Sequence, residues 1–89
     1  MWQLYMIRCR DDSLYTGVTN DLARRLREHA AEGAACAKYL RGKGPFLLVY
    51  TCTVGGRPEA LRAEHRVKAL GKEDKERLVC GKMALADLM

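Results

Sequence analysis

WQLYMIRC, residues 2–9, and SLYTGV, residues 13–18, decide the fold of this chain. Both segments are rich in aromatic and β-branched residues, which are typical of strands. The Asp11-Asp12 pair between them is typical of a turn. The two segments therefore predict a β-hairpin at the start of the chain.

Each strand of this hairpin carries a tyrosine, Tyr5 and Tyr15. Side chains alternate between the two faces of a sheet. The two tyrosines therefore share a face only if odd-numbered residues pair with odd-numbered residues. Such pairing requires a hairpin loop of three or five residues, unless a bulge intervenes. A plain two-residue turn at Asp11-Asp12 would place them on opposite faces. When each tyrosine is considered alone, packing in the core is the simpler interpretation.

The middle of the chain predicts a helix, a loop and a strand. Asn20 is a good N-cap, and the apolar stripe that follows predicts a helix to about Glu32, where Gly33 ends it. The glycine-punctuated basic segment AACAKYLRGKGP, residues 34–45, predicts a loop. FLLVYTCTV, residues 46–54, predicts a strand at the centre of the sheet.

The remaining sequence predicts two more helices. One lies within residues 55–71, with Gly71 as its C-terminal cap, and one spans about residues 73–80. The order ββαβαα predicts an α/β or α+β fold with a small, three-stranded, mostly antiparallel sheet flanked by helices. We expect a single domain over residues 1–82, followed by a C-terminal tail, residues 83–89.

Composition narrows the class of protein. A chain of 89 residues forms one small domain, and its net charge of +5 and pI of about 9.2 suit a polyanionic partner, although many small proteins reach such values by chance. The four cysteines form no Cys-x-x-Cys pair, so no zinc site is expected. No apolar run is long enough for a signal peptide or a membrane span. We expect a cytoplasmic protein with reduced thiols.

Three polar residues are not explained by local rules. Arg25 and His29 are four residues apart and share a face of the first helix. Glu64 falls on the same side of the second helix as Leu61 and Val67, and a carboxylate that faces a core is costly unless it is paired or binds a metal. Taken singly, a structural salt bridge explains Glu64, a surface position explains Arg25, and partial burial explains His29.

Basic residues cluster in the first helix and in the loop after it. Basic side chains that alternate with an aromatic residue suit a sugar-phosphate backbone, although a solvated loop explains them equally well. Gly17 weakens its strand unless another group approaches the backbone closely. The candidate nucleic-acid-binding residues are Gly17, Arg24, Arg27, Lys38, Tyr39, Arg41 and Lys43.

Together these residues resemble the GIY-YIG endonuclease superfamily, in particular its small stand-alone bacterial single-domain members. The first signature triplet corresponds to Gln3-Leu4-Tyr5 and the second to Tyr15-Thr16-Gly17. The arginine of the family's helix falls on Arg25, the histidine one turn later on His29, and the metal-binding glutamate on Glu64. Five positions in the right order and spacing make a strong match, and the likeness covers nearly the whole chain.

The resemblance implies a metal-dependent endonuclease that cleaves phosphodiester bonds in DNA or, with less support, RNA. Glu64 would bind a single divalent metal, Mg²⁺ or Mn²⁺, and Arg25 would hold the phosphate. Tyr5 or Tyr15 would act as general base or orient the attacking water. His29 would assist proton transfer or contact the phosphate.

One departure from the family keeps other functions open. Many catalytically established members carry an asparagine well after the glutamate, whereas the only asparagine of this chain is Asn20. The alternative to a nuclease is a nucleic-acid-binding module that keeps the site residues but has little or no nuclease activity. A third hypothesis, a domain that binds an acidic protein, needs none of the five site residues.

Overall fold

The N-terminal hairpin forms the first half of the sheet in the computed structural model, which describes residues 1–89. Strands β1 (Trp2–Arg8) and β2 (Leu14–Thr19) pair in antiparallel orientation. The loop between them, residues 9–13, therefore has five residues. This odd loop length is one of the two that the shared-face hypothesis allowed.

The register of the hairpin places both tyrosines on one face. Tyr5 lies opposite Gly17, and Ile7 lies opposite Tyr15. Because odd-numbered residues pair with odd-numbered residues, the side chains of Tyr5 and Tyr15 point the same way. The condition that the shared-site hypothesis sets, a common sheet face for the two tyrosines, is therefore met.

The remaining elements follow the predicted order ββαβαα. They are α1 (Leu22–Ala31), a 3₁₀ turn (Lys38–Leu40), β3 (Leu47–Gly55), α2 (Arg57–Lys68), α3 (Lys72–Val79) and a second 3₁₀ turn (Leu85–Leu88). The α+β fold is therefore as predicted. None of these helices combines the length and the apolar character that crossing a membrane requires.

The sheet has the strand order β2-β1-β3, with both pairs antiparallel. The prediction that the third strand is central was wrong, because β1 occupies the centre and β3 lies at an edge. Leu47 and Leu48 of β3 are exposed. A continuous apolar run reports strand propensity and partial burial, and it does not distinguish a central strand from an edge strand whose one face is covered by helices.

The caps of α1 are shifted by one residue from the prediction. Asp21, and not Asn20, is the N-cap, and its Oδ1 accepts a hydrogen bond of 3.2 Å from the backbone N–H of Arg24. The helix ends at Ala31, and Glu32 takes the left-handed conformation expected of Gly33, with φ of 50°. At the N-terminus both residues suit the cap chemically, so the sequence did not distinguish them.

Two further boundaries differ from the prediction. Ala69 caps the C-terminus of α2, while Gly71 precedes α3 as its N-cap instead of ending α2. The predicted loop over residues 34–45 contains the turn Lys38–Leu40, and Leu40 is completely buried. This loop is therefore anchored to the domain, because a buried leucine fixes its middle.

Each face of the sheet has its own hydrophobic cluster. The cluster under α2 and α3, here called the apolar face, consists of Leu4, Met6, Ala63, Val67, Leu78 and Leu85. The cluster on the opposite side, here called the α1 face, consists of Tyr5, Ile7, Cys9, Cys36 and Leu40. Because Leu85 belongs to the first cluster, the core continues past the predicted domain boundary at residue 82.

A network of four charged side chains joins the hairpin tip to α3. Arg8 donates two hydrogen bonds of 2.7 Å to the Glu76 carboxylate and one of 2.9 Å to Asp12. Lys72 lies 3.2 Å from both carboxylates. The hydrogen bonds from Arg8 lower the pKa of Glu76 to about 2. This network satisfies its own charges and fixes α3 against β1.

Candidate active site

A buried hydrogen bond between Tyr5 and His29 lies at the centre of the α1 face. The Tyr5 hydroxyl lies 2.8 Å from Nε2 of His29, and each residue is only 1% exposed. Burial lowers the pKa of His29, and the nearby Arg25 guanidinium lowers it further. In the neutral tautomer that carries its proton on Nδ1, the imidazole accepts a hydrogen bond at Nε2 from the phenol O–H.

Gly17 makes room for this pair. A Cβ atom at Gly17 would lie 2.5 Å from the Tyr5 hydroxyl oxygen and 2.7 Å from its Cζ. The ring of Tyr5 therefore crosses the neighbouring strand where only glycine leaves space. The group that approaches the Gly17 backbone is Tyr5, so the structure gives Gly17 a packing role.

Tyr15 extends the aromatic cluster toward the surface. Its ring centroid lies 6.3 Å from that of Tyr5 and 5.7 Å from that of His29. On its outer side it stacks with Tyr39 at 6.0 Å and an interplanar angle of 27°. Tyr15 is half-buried, whereas Tyr5 is fully enclosed. Of the two signature tyrosines, Tyr15 is therefore the one that solvent or a substrate can reach.

The environment of Tyr5 keeps its hydroxyl protonated. Burial raises the pKa of Tyr5, and the neighbouring Tyr15 raises it further. The Arg25 guanidinium acts in the opposite direction and offsets only part of this increase. A group that holds its proton this firmly is poorly suited to act as a general base.

Arg25 is held beside this cluster with part of its guanidinium free. Its Nη1 donates to the Ala35 carbonyl at 2.7 Å and to the Glu28 carboxylate at 3.1 Å. Burial lowers the pKa of Arg25, but the hydrogen bond with Glu28 and the neighbouring Tyr5 outweigh it, so the pKa is raised overall. Both of these hydrogen bonds use Nη1, and the guanidinium also faces the Tyr5 hydroxyl, so Nη2 is the nitrogen left for a phosphate oxygen.

Glu64 reaches the same region from α2. The buried residues of this helix are Ala60, Ala63 and Val67, whereas Leu61, which the sequence placed beside Glu64 in the core, is 44% exposed. The side chain of Glu64 is 22% exposed, and its Oε2 lies 3.2 Å from Nζ of Lys68. Glu64 is therefore at the edge of the core and pairs within its own helix.

The Glu64–Lys68 pair adjoins the tyrosine cluster. Nζ of Lys68 lies 6.0 Å from the ring centroid of Tyr15, and the charge of Glu64 contributes to the raised pKa of Tyr5. Since β2 is an edge strand, side chains of α2 can reach past it to the α1 face. The structure thus brings four of the five predicted catalytic residues, Tyr5, Tyr15, Arg25 and His29, into one cluster, with Glu64 beside it.

The candidate site offers one protein carboxylate, that of Glu64, as a ligand for a divalent metal. No group of three or more His, Cys, Asp or Glu side chains lies close enough to share a metal ion. Mg²⁺ commonly keeps several waters and uses only one or two protein carboxylates. A partly exposed Glu64 fits that kind of site, in competition with Lys68 for the same carboxylate.

The basic residues among the predicted nucleic-acid-binding residues differ in whether they form an ion pair within the domain. Four of them are exposed and make no ion pair: Arg24, Arg27, Lys38 and Arg41. Lys43 is occupied, because its Nζ lies 3.6 Å from the Asp11 carboxylate and 3.6 Å from the ring centroid of Tyr39. Tyr39 itself is 46% exposed.

A cleft beside Tyr15 contains residues that the sequence did not single out. It has a volume of about 300 Å³ and is lined by Leu14, Tyr15, Thr16, Tyr39, Lys68 and Lys75. Lys68 was detectable, since it follows Glu64 by one helical turn. Lys75 belongs to α3, and no local pattern connects that helix with the hairpin. Only the packing of α3 brings Lys75 to the cleft.

Fold and site together define a domain of the GIY-YIG type. Residues 1–77 match the GIY-YIG catalytic domain, and the chain belongs to this family.

Its similar relatives are UPF0213 proteins. The UPF0213 protein YhbQ of Escherichia coli K12 is 50% identical over 88 residues, which cover 99% of this chain and 86% of YhbQ. A UPF0213 protein of Cronobacter sakazakii is 53% identical over 83 residues, which cover 93% of this chain and 85% of the relative. The solution NMR structure of a UPF0213 protein from Bacillus halodurans is similar at a TM-score of 0.59 and 42% identity, and the match covers 99% of this chain and 93% of that one.

Proposed function

We propose that this protein is a metal-dependent endonuclease that cleaves phosphodiester bonds in DNA or, with less support, RNA. The observation that carries the proposal is the convergence of Tyr15, Arg25 and Glu64 around the buried Tyr5–His29 pair. Phosphodiester hydrolysis needs an oriented water and positive charge at the phosphoryl oxygens. The accessible groups of this site supply both.

Each accessible residue has one task in this proposal. Arg25 binds the reacting phosphate through Nη2 while its Nη1 stays fixed to the backbone at Ala35. Tyr15 orients the attacking water or accepts its proton, because it is the signature tyrosine that the surface exposes. Glu64 holds Mg²⁺ or Mn²⁺, which when bound supplies Lewis-acid stabilisation of the phosphoryl oxygens.

Tyr5 and His29 act as positioning residues in this proposal. Both are buried, and their hydrogen bond of 2.8 Å satisfies the phenol and one imidazole nitrogen. A fixed pair of this kind holds the neighbouring Tyr15 ring and the Arg25 guanidinium in one arrangement. A direct contact of His29 with the phosphate is less compatible with its burial.

A cleavage assay tests the proposal. Supercoiled plasmid, single-stranded DNA, branched DNA and RNA are incubated with Mg²⁺ or Mn²⁺ and the wild-type protein or the variants Glu64→Gln and Arg25→Lys. We expect each variant to lose at least about a hundredfold in rate, the scale of losing one group that stabilises the transition state. Glu73→Gln is the matched control, because Glu73 is exposed, makes no ion pair and lies on α3. Equal rates in Glu64→Gln and Glu73→Gln would exclude the proposed role of Glu64.

Binding of nucleic acid without cleavage is the second candidate function. Two observations favour it. The chain has no asparagine after Glu64, since its only asparagine, Asn20, lies before α1. In addition, four of the predicted basic contact residues make no ion pair and are free to bind phosphates. Such a module would bind with a steep salt dependence and little sequence preference. Binding in EDTA together with no cleavage of any substrate form, with either metal, would favour it over the nuclease.

A further inference from the structure

The cleft beside Tyr15 contains an ammonium group without a partner. Lys75 is half-buried on α3, and no carboxylate lies within ion-pair distance of it. On the same helix, Lys72 lies 3.2 Å from both Asp12 and Glu76. The contrast on one helix leaves the Lys75 ammonium available for a ligand that the domain itself does not supply.

A second ammonium group gives the cleft the same chemical preference. Lys68 lines it together with Lys75, and the Nζ of Lys68 already lies 3.2 Å from one carboxylate, that of Glu64. Thr16 also lines the cleft, but its hydroxyl is buried, so the positive charge of the cleft comes from the two lysines. Two ammonium groups suit an anion with several acceptor oxygens.

We infer that this cleft is a phosphate subsite, in which Lys75, assisted by Lys68, binds a phosphate of the substrate strand next to the phosphate that Arg25 holds. The inference rests on the proposed function, because it assigns a second contact to the same substrate. The cleft volume of about 300 Å³ accommodates a phosphate with its sugar. The substrate class that follows is an oligonucleotide strand, since a single phosphodiester would leave the subsite empty.

The test measures binding without catalysis. A fluorescein-labelled single-stranded oligonucleotide of about twelve nucleotides is titrated in EDTA over a range of salt concentrations, with fluorescence anisotropy as the readout. Wild type is compared with Lys75→Met, which keeps the aliphatic stem, and with Lys75→Arg, which keeps the charge. Lys82→Met is the matched control, because Lys82 is exposed, outside the cleft lining and free of ion pairs. Thermal unfolding followed by circular dichroism checks that each variant is folded.

We expect Lys75→Met to weaken binding several-fold and to reduce the salt slope by about one, the value for the loss of one phosphate contact. Lys75→Arg should retain most of the affinity. Lys82→Met should leave both quantities close to wild type.

Equal losses in Lys75→Met and Lys82→Met would overturn the inference, because the effect would then be one of net charge only. That result leaves the proposed function standing if the wild type binds and cleaves. A wild type that binds no oligonucleotide at low salt would overturn the subsite and the proposed function together.

Discussion

The two faces of the sheet use the same strands for different purposes. Leu4 and Met6 of β1 point to the apolar face, where every buried residue of the cluster is hydrophobic. Tyr5 points to the α1 face, where its hydroxyl meets the buried imidazole of His29. One strand therefore contributes alternately to stability and to the candidate site, because its side chains alternate.

The difference between the faces shows where the molecule carries polar groups in its interior. The apolar face gains most of its stability from hydrophobic burial, although it also buries Thr16, which lies opposite Met6 and whose hydroxyl has no hydrogen-bond partner. The α1 face buries a phenol and an imidazole, and Nδ1 of His29 has no hydrogen-bond partner. Buried polar groups of this kind are costly unless satisfied. We interpret the retained cost as the consequence of holding Tyr15 and Arg25 in place for function.

Leu4→Ala should show most clearly that the apolar face governs stability while the α1 face governs nucleic-acid binding. Leu4 is completely buried on the apolar face, and truncation of such a leucine costs about 2–5 kcal/mol in the free energy of unfolding. Urea denaturation measures this loss. Nucleic-acid affinity at a temperature where the variant is folded should be unchanged. Weakened binding by the folded variant would show that the faces are not independent.

Gly17→Ala should destabilise the α1 face by overpacking it. The new Cβ would lie 2.5 Å from the Tyr5 hydroxyl, and the ring cannot move without losing its bond to His29. We expect a loss of about 2–3 kcal/mol, in the range of overpacked cores. Gly33→Ala is the control, because a Cβ atom at Gly33 would meet no other atom within 4 Å. Equal unfolding free energies in the two variants would contradict the close packing of Tyr5 over Gly17.

Tyr5→Phe tests the buried hydrogen bond with almost no change in shape. The variant leaves Nε2 of His29 without its partner, and we expect a loss of about 1–2 kcal/mol in the free energy of unfolding. Tyr50→Phe, at a half-buried position packed against the apolar face, is the comparison and should cost less. Similar costs for the two substitutions would show that the Tyr5–His29 bond adds no stability.

The pH dependence of stability should be the smallest effect. The pKa of His29 is lowered from its ordinary value of 6.5, mainly by burial. Below that value the unfolded chain binds a proton that the folded protein excludes, so stability is present above pH 6.5 and falls as the pH decreases. Urea unfolding between about pH 7 and pH 5.5 should show this decrease in wild type.

The histidine variants identify the residue responsible for this effect. His29→Gln should show a weaker decrease in stability over the same pH range, because its side chain does not titrate. The control His65→Gln changes an exposed histidine of α2 and should keep the wild-type profile. A wild-type profile in His29→Gln would show that His29 is not the group that titrates.

Local sequence patterns predicted the element order, and the shared face of the tyrosines was the condition that a common site required. The parity of Tyr5 and Tyr15 depends only on the alternation of side chains and on an odd hairpin loop. The position of β3 at the sheet edge was missed, because strand order is a property of packing and an apolar run does not encode it. Asp21 and Asn20 are both good N-caps, so the sequence could not separate them.

The site was predicted as far as its residues lie in recognisable motifs. The resemblance identified Arg25, His29 and Glu64 but did not show that Tyr5 is enclosed while Tyr15 is accessible. It also did not show the partner of Glu64, although Lys68 follows it by one turn. Lys75 was missed entirely, since its proximity to Tyr15 arises from the docking of α3.

The most direct test of the central claim is an NMR map of the surface that binds nucleic acid. Backbone amide shifts of the wild-type protein are followed during titration with a non-cleavable phosphorothioate oligonucleotide in the presence of Mg²⁺. We predict that the changes concentrate at Tyr15, Arg25, Glu64 and Lys75, and that they are small on the outer side of α2, at Arg62 and Arg66. Changes concentrated at Arg62 and Arg66, with none near Tyr15, would contradict the assignment of this face as the active site.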